Sequence, residues 1–310
     1  MKTEKINVYN DKVKLGVSNE YPTPLLSFKQ PCLQMIVGVR NTGKSYLTST
    51  ILAQAKRDKT FDVIYIVTPS FNSNKAYFGE YILPENVYEP TKDSISLVIK
   101  RVEQDRDEFE QYLKEVEEYK LYQKEIKNRP LSSFNPETLM YYLDMGFLDN
   151  EKPEWKYGEP AQAPRSLLIL DDVIGSPAIS HSSGLTKIAT LNRHIAPLTE
   201  NHKDRSACGL AVIILTQTYK MVGGLQRAMR ENVSLLTLFQ NKQEKQLDSI
   251  RDELANVVDI DKFNKSYEYA TSEKYGNITI DFSPKSPEYT FRKNLNELII
   301  FDMENVIINK

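Results

Sequence analysis

Residues 38–45 read Gly38-Val39-Arg40-Asn41-Thr42-Gly43-Lys44-Ser45, and this octapeptide constrains the fold more than any other part of the chain. It satisfies G-x-x-x-x-G-K-[ST] at all four fixed positions. Such a loop works only between a buried strand and a helix. The glycines let the backbone turn so tightly that successive N–H groups point inward, and the helix that follows adds the positive end of its dipole. Both flanks are present. Leu33-Gln34-Met35-Ile36-Val37 is a short apolar run, and residues 44–57 place Leu47, Ile51 and Leu52 on one helical face. The loop backbone from Gly38 to Ser45 would cradle phosphate oxygens. Lys44 would reach the outer phosphates, and the Ser45 hydroxyl would bind a magnesium ion.

Four further runs share the pattern of the first: Val63–Val67, Leu167–Leu170, Ala211–Leu215 and Ser234–Phe239. They are continuously apolar rather than alternating, as strands buried on both faces of a parallel sheet are. Helical patterns lie between them, so the expected class is α/β with a mostly parallel central sheet. Residues 243–258 read as a helix through Leu247, Ile250, Leu254 and Val257. Tyr267–Ala270, Ile278–Phe282 and Tyr289–Phe291 read as a small C-terminal β element, with turns at Gly276-Asn277 and Ser283-Pro284. Residues 1–30 are an irregular lead-in, and 31–310 are expected to form one P-loop domain, its C-terminal helix and β element spanning 241–310.

About 95 residues separate the second and third strands, far more than a common connection needs. Within this helical insertion, 73–164, residues 95–127 carry Phe109, Tyr112, Leu113, Val116, Tyr119, Tyr122 and Ile126 at steps of three to four. One long helix or a helical hairpin arm is expected, either packed on the sheet or projecting towards a partner.

A phosphate loop needs a carboxylate at the end of another buried strand. Ser166-Leu167-Leu168-Ile169-Leu170-Asp171-Asp172 supplies it, with Asp171 as the metal ligand and Asp172 placed to polarise an attacking water. The bland alternative is a pair of acids capping the next helix. The run ending Leu215-Thr216-Gln217-Thr218 puts Gln217 beside the loop, as a phosphate sensor or as an ordinary strand end. Arg230 is favoured as an arginine reaching a neighbouring subunit's phosphate, with Arg193 and Arg205 competing. Each could equally be a structural ion-pair partner.

Lys plus Arg is 40 and Asp plus Glu is 42, a net charge of −2 that argues against coating nucleic acid by bulk charge. Local charge is another matter. Lys187, Arg193, Lys203 and Arg205 crowd the window 181–205, expected at the carboxyl edge of the sheet, and Lys220 lies in the acid-free stretch 217–230. Several copies of such loops lining one channel could grip DNA phosphates. Mean hydropathy is −0.47, no run reaches the roughly 18 apolar residues of a membrane helix, and the first residues hold no apolar signal segment. A chain that is neither secreted nor membrane-bound is expected. Cys32 and Cys208 sit in apolar runs as reduced core residues, and His181, His194 and His202 match no zinc spacing.

The motifs, in their order and spacing, resemble a known family. QMIVG runs into GVRNTGKS, the second strand runs into VTPSFNSN, and LLILDD carries the acids. TLNRHIAPL precedes a strand ending ILTQT, and MVGGLQRAMRENVSLLTLF sets Arg230-Glu231-Asn232 before the last strand. This is similar to the FtsK/HerA-type genome-packaging ATPases of double-stranded DNA viruses. The resemblance covers roughly residues 30–72 and 165–310. It implies a RecA-like core, ATP with Mg2+, a homo-oligomeric ring, and translocation of double-stranded DNA into a preformed capsid, with a capsid or portal protein as a further partner. It places the protein in the host cytoplasm or at a virus assembly site, or associated with the virion. By position, Lys44 and Ser45 bind nucleotide and metal, Asp171 binds metal, Asp172 is the catalytic carboxylate, Gln217 the sensor and Arg230 the trans arginine. Two departures stand out: Asp172 replaces a more usual Glu, and the 73–164 insertion has no counterpart. The 70 or so residues after the fifth strand are too few for a nuclease domain. The competing readings are a DNA translocase of conjugation or segregation, and a nucleotide-dependent switch or small-molecule kinase that never meets DNA.

Overall fold

In the computed structural model, which describes residues 2–5, 31–149, 151–180, 183–202, 205–220, 227–282 and 290–301, the five apolar runs become five adjacent parallel strands. The chain begins with β1 (Lys2–Lys5), β2 (Leu33–Val37), α1 (Lys44–Arg57), β3 (Val63–Val67), α2 (Phe71–Phe78) and β4 (Val87–Tyr88). The long α3 (Ser94–Asn128) and short α4 (Pro136–Asp144) precede β5 (Ser166–Asp171), α5 (Pro177–Ser180) and α6 (Ser183–Leu191). Then come β6 (Pro197–His202), β7 (Arg205–Ala207), β8 (Leu210–Thr216), α7 (Arg227–Glu231) and β9 (Leu235–Phe239). The last part holds α8 (Glu244–Leu254), α9 (Ile260–Ala270), β10 (Asn277–Asp281), β11 (Phe291–Lys293) and β12 (Glu297–Ile300).

The main sheet has ten strands in the order β1-β12-β11-β10-β9-β2-β8-β5-β3-β4. From β9 to β4 all pairs are parallel, and from β9 to β1 all are antiparallel. The order of the apolar runs, fifth-first-fourth-third-second, is that of a RecA-like P-loop core. Helices cover both faces, which is why β2, β5, β8 and β9 are buried along their whole length. One face packs Leu47, Ile51 and Leu52 of α1 and Phe78 of α2 on Ile36, Ile66, Ile169 and Ile213. The other packs α3, α6, α8 and α9 on Met35, Leu168, Leu170, Val212 and Leu236.

The first half of α3 packs on the sheet, and its second half belongs to a separate helical hairpin. This helix has 35 residues and so spans about 50 Å. Ile95, Val98, Ile99, Val102 and Phe109 belong to the main core. Buried Asp105 pins the helix to the sheet, accepting from the Tyr65 hydroxyl at 3.1 Å and from Lys156 Nζ at 2.6 Å. Further on, Tyr119 and Tyr122 leave that core for a separate aromatic cluster with Phe134, Tyr142 and Phe147. α4, capped by Asn135, folds back to build it, so this half is a helical hairpin arm. Among the described residues no helix is long and apolar enough to cross a membrane.

Two expectations need correcting. The window 181–205 does not remain at the carboxyl edge. It descends the sheet face as α6 and ends in the β6–β7 hairpin at the amino edge. There Asn192 Nδ2 donates to the carbonyls of Pro31 and Leu210, each 3.4 Å away, and Arg205 donates to those of Ala163 and Pro164, all at the starts of strands. The hairpin is also tied to α3, since Arg106 donates to the Pro197 carbonyl and the Thr199 amide donates to Glu110. The second correction concerns Tyr267–Ala270, which ends helix α9 instead of forming a strand. Asp259 caps that helix by accepting from the amides of Asp261 and Lys262, and Phe263, Tyr267 and Ala270 fill the core at helical spacing. The small C-terminal β element is present as β10–β12, and β10 pairs with β9 so that it extends the main sheet. The predicted turn at Ser283-Pro284 lies outside the described residues.

Phe147 is fully buried in the aromatic cluster of the arm. Phe147→Ala should cost the arm about 3–5 kcal/mol. Hydrogen exchange should then quicken at amides of 116–128 and 136–144 while β2, β5 and β8 keep their protection. Uniform loss of protection would mean that arm and sheet unfold as one unit.

Candidate active site

β2, β5 and β8 end level with one another. Val37 is in register with Thr216, and Asp171 with Leu215, so every residue following these strands gathers at one edge. The P-loop leaves β2 here, its Gly38 amide donating to the Thr216 carbonyl at 3.0 Å. Two left-handed residues, Asn41 (φ 64) and Gly43 (φ 104), make the turn before α1 begins at Lys44. Phe239, the last residue of β9, forms the floor. A Cβ on Gly38 would lie 2.9 Å from Phe239 Cβ and 2.5 Å from Thr42 Oγ1, so no side chain fits there. The loop is closed by Thr42 Oγ1 donating to the Val39 carbonyl at 2.8 Å.

Lys44 Nζ donates to the carbonyls of Gly38 at 2.6 Å and Val39 at 3.1 Å, so the ammonium sits inside the loop. Burial pulls its pKa below the ordinary lysine range, and the charges of Asp171 and Asp172 oppose that shift. Asp171 is buried at the tip of β5. Burial pushes its carboxyl above the usual carboxylate range, against hydrogen bonds that favour the charged form. Thr68 Oγ1 donates to Asp171 Oδ2 at 3.2 Å, and Asn74 Nδ2 donates to the same oxygen at 3.0 Å. Thr68 and Asn74 belong to the site and were not singled out from the sequence. For Thr68 the available signal was a polar residue directly after an apolar strand, the pattern that identifies Gln217.

Asp172 adopts φ 52, a left-handed conformation uncommon for a residue with a side chain. Gln217 Nε2 donates to Asp172 Oδ1 at 3.3 Å, so these two predicted residues are brought together. Among the described residues no group of three or more His, Cys, Asp or Glu gathers to hold a metal. One buried carboxylate beside the P-loop lysine suits instead an ion that takes most of its ligands from phosphates and water, as Mg2+ does.

The predicted arginines lie elsewhere. Arg230 is held within its own chain. Its Nε and Nη2 donate to the two carboxylate oxygens of Glu253 at 3.1 and 3.0 Å, and its side chain is 7% exposed. The Tyr219 ring lies 5.7 Å from its guanidinium. Arg205, expected as a DNA contact and as a competing trans arginine, is instead half-buried, its guanidinium donating to the carbonyls of Ala163, Pro164 and Cys208. Arg193 is exposed, but at the amino edge, opposite the P-loop. Lys187 pairs with Glu103 at 3.0 Å, and exposed Lys220 lies 3.8 Å from Glu253. Lys203 is outside the described residues.

The raised pKa of Asp171 has a thermodynamic consequence. At neutral pH the folded chain carries a negative charge that burial disfavours, and in acid it does not. Asp171→Asn should therefore unfold at a higher temperature than the parent at pH 7. The difference should close as pH falls towards about 4, where the carboxyl becomes neutral in the unfolded chain too. Thermal unfolding followed by circular dichroism across this range checks it, and a destabilised variant at pH 7 refutes it.

Several solved structures resemble this chain at low identity. The genome packaging NTPase B204 from Sulfolobus turreted icosahedral virus 2, in complex with sulfate, is 14% identical over 84% of this chain and 95% of its own, with a TM-score of 0.43. The pCW3 conjugation coupling protein TcpA, with ATPγS, is 14% identical over 70% of this chain and 51% of its own, with a TM-score of 0.38. EssC (ATPases 2 and 3) from Geobacillus thermodenitrificans is 14% identical over 70% of this chain and 34% of its own, with a TM-score of 0.38. No protein-family model matches the sequence, and no curated protein matches it.

Proposed function

We propose that this chain is an ATPase that hydrolyses the terminal phosphate of ATP at the carboxyl edge of the sheet and uses the energy to translocate double-stranded DNA. The observation that carries the reading is the convergence of the P-loop, Asp171, Asp172 and Gln217 at that edge. In this reading the amides from Gly38 to Ser45 bind the phosphates. Lys44 exchanges the carbonyls of Gly38 and Val39 for phosphoryl oxygens, which restores a full complement of hydrogen bonds to a half-buried ammonium. Asp171 and Ser45 hold Mg2+, which when bound neutralises charge on the phosphates. Asp172 accepts a proton from the attacking water, and Gln217 holds that carboxylate in place. Both functions need the two side chains side by side at a strand edge that the triphosphate can reach.

The finer assignment, packaging of a viral genome by a homo-oligomeric ring, rests on the motif resemblance at VTPSFNSN, LLILDD, ILTQT and Arg230-Glu231-Asn232. Such a ring would meet DNA through Lys220 and Lys187, whose acidic partners are themselves partly exposed. A capsid or portal protein is the further partner that this reading calls for.

Lys44→Ala should lower ATP turnover by about a hundredfold or more. Long duplex DNA should stimulate turnover of the assembled protein. Turnover indifferent to DNA would overturn the translocase reading in favour of a switch or kinase. Mixing decides the role of Arg230. Arg230→Ala subunits that regain turnover beside Lys44→Ala subunits receive their arginine in trans. Absence of recovery makes Arg230 a structural partner of Glu253.

A further inference from the structure

The roles above use the side of the P-loop that faces β8 and β5. Its other side opens into a cavity of about 300 Å3, the lower end of the range usual for small-molecule pockets (roughly 300–1,000 Å3). Val39 and Asn41 of the loop form one wall, Phe239 and Gln240 at the end of β9 a second, and Tyr275 and Gly276 before β10 a third. β2 stands between β8 and β9, so the cavity and the Asp171–Asp172–Gln217 cluster lie on opposite sides of the loop. A nucleotide whose terminal phosphate points to the acids must direct its nucleoside the other way, into this space.

Tyr275 is the unusual group there. Its φ is 68, a conformation that costs a tyrosine more than a glycine or asparagine, and its side chain is 56% exposed. Core packing therefore does not account for an aromatic residue at this point. The ring nevertheless sits against the phosphate loop: a Cβ on Gly43 would lie 3.6 Å from Tyr275 Cδ1. Lys274 places its ammonium 4.9 Å from the ring centroid. The neighbouring amides are committed locally. Asn241 Nδ2 donates to Gln246 Oε1, Asn241 Oδ1 accepts from the Gln243 amide, and Gln246 Nε2 donates to Gln243 Oε1. The cavity thus offers a flat aromatic surface more than it offers groups to read the edge of a base.

We propose that this cavity receives the nucleoside of the bound nucleotide, with the Tyr275 ring stacked on a purine base. The inference rests on the nucleotide-binding reading of the P-loop, and the test separates the two. Binding of ATP and of inorganic tripolyphosphate is measured on the full chain and on Tyr275→Gly, Tyr275→Phe and Lys44→Ala. Glycine suits the backbone at 275, so its effect is not one of strain. Tyr275→Gly should raise the Kd for ATP about tenfold, the scale of one lost base–aromatic stack, and leave that for tripolyphosphate within about twofold. Tyr275→Phe should bind ATP within about twofold of the parent, and Lys44→Ala should weaken both ligands. A second readout is the fluorescence of 2-aminopurine riboside triphosphate, quenched by stacking in the parent and in Tyr275→Phe but not in Tyr275→Gly. Unchanged ATP affinity or unchanged quenching in Tyr275→Gly overturns the proposal. Equal weakening of ATP and tripolyphosphate also overturns it, since Tyr275 would then merely support the loop. If the parent chain binds no ATP, the nucleotide reading falls and this inference falls with it.

Discussion

A parallel sheet covered by helices on both faces leaves its polar side chains only the ends of the strands. Here β2, β5, β8 and β9 are buried from end to end, the polar side chains inside them, Gln34 and Thr237, are hydrogen-bonded to each other at 3.2 Å, and the polar residues that follow the strands emerge at one edge. Chemistry is confined there by packing before any particular residue is chosen. The register then fixes who meets whom. Because Val37, Thr216 and Asp171 end level, the P-loop, Gln217 and the acid pair converge without a long loop to carry them. The antiparallel strands β10–β12 add a wall beyond β9 and complete the other side of the loop.

That confinement has a cost, borne mainly by Asp171. A carboxylate at the tip of a buried strand loses hydration, and the raised pKa records it. Thr68 and Asn74 offset part of this by donating to one oxygen, the Lys44 charge contributes less, and the neighbouring Asp172 charge works against them. Lys44 is under the opposite strain, pulled down by burial and held up by Asp171 and Asp172. Neither charge is comfortable alone. A divalent cation and a polyphosphate would each supply what the other lacks, so the free site is less stable than a fold alone would require.

Most of the fold was legible because continuous apolar runs and a phosphate loop are local signals. The first helix spans Lys44–Arg57, the range read from the sequence, and the long helix differs by one residue at each end from the 95–127 that was expected. The failures were non-local. Tyr267–Ala270 has β-forming residues, but Asp259 starts a helix upstream and the sheet offers a surface only at helical spacing. Nothing local in 181–205 says that α6 will carry the chain to the amino edge; Asn192 and Arg205 settle it through carbonyls that precede distant strands. Asn74 reaches Asp171 across 97 positions, a pairing that no spacing in the chain announces.

The arginines show most plainly what charge in a sequence leaves undetermined. Arg230 stands just before the last parallel strand, yet its setting depends on Glu253, on a helix that comes later. The pair is bidentate and partly buried, so removing Arg230 would take from Glu253 its main counter-charge. For Arg230 to reach a neighbour's phosphate, Glu253 must keep other partners. Two stand beside it: the Tyr219 hydroxyl, which already hydrogen-bonds it, and Lys220 at 3.8 Å. A triphosphate carries more charge than one carboxylate and would draw the guanidinium more strongly. Any such exchange would be a competition between two anions for one cation, with Tyr219 and Lys220 lowering the cost to Glu253.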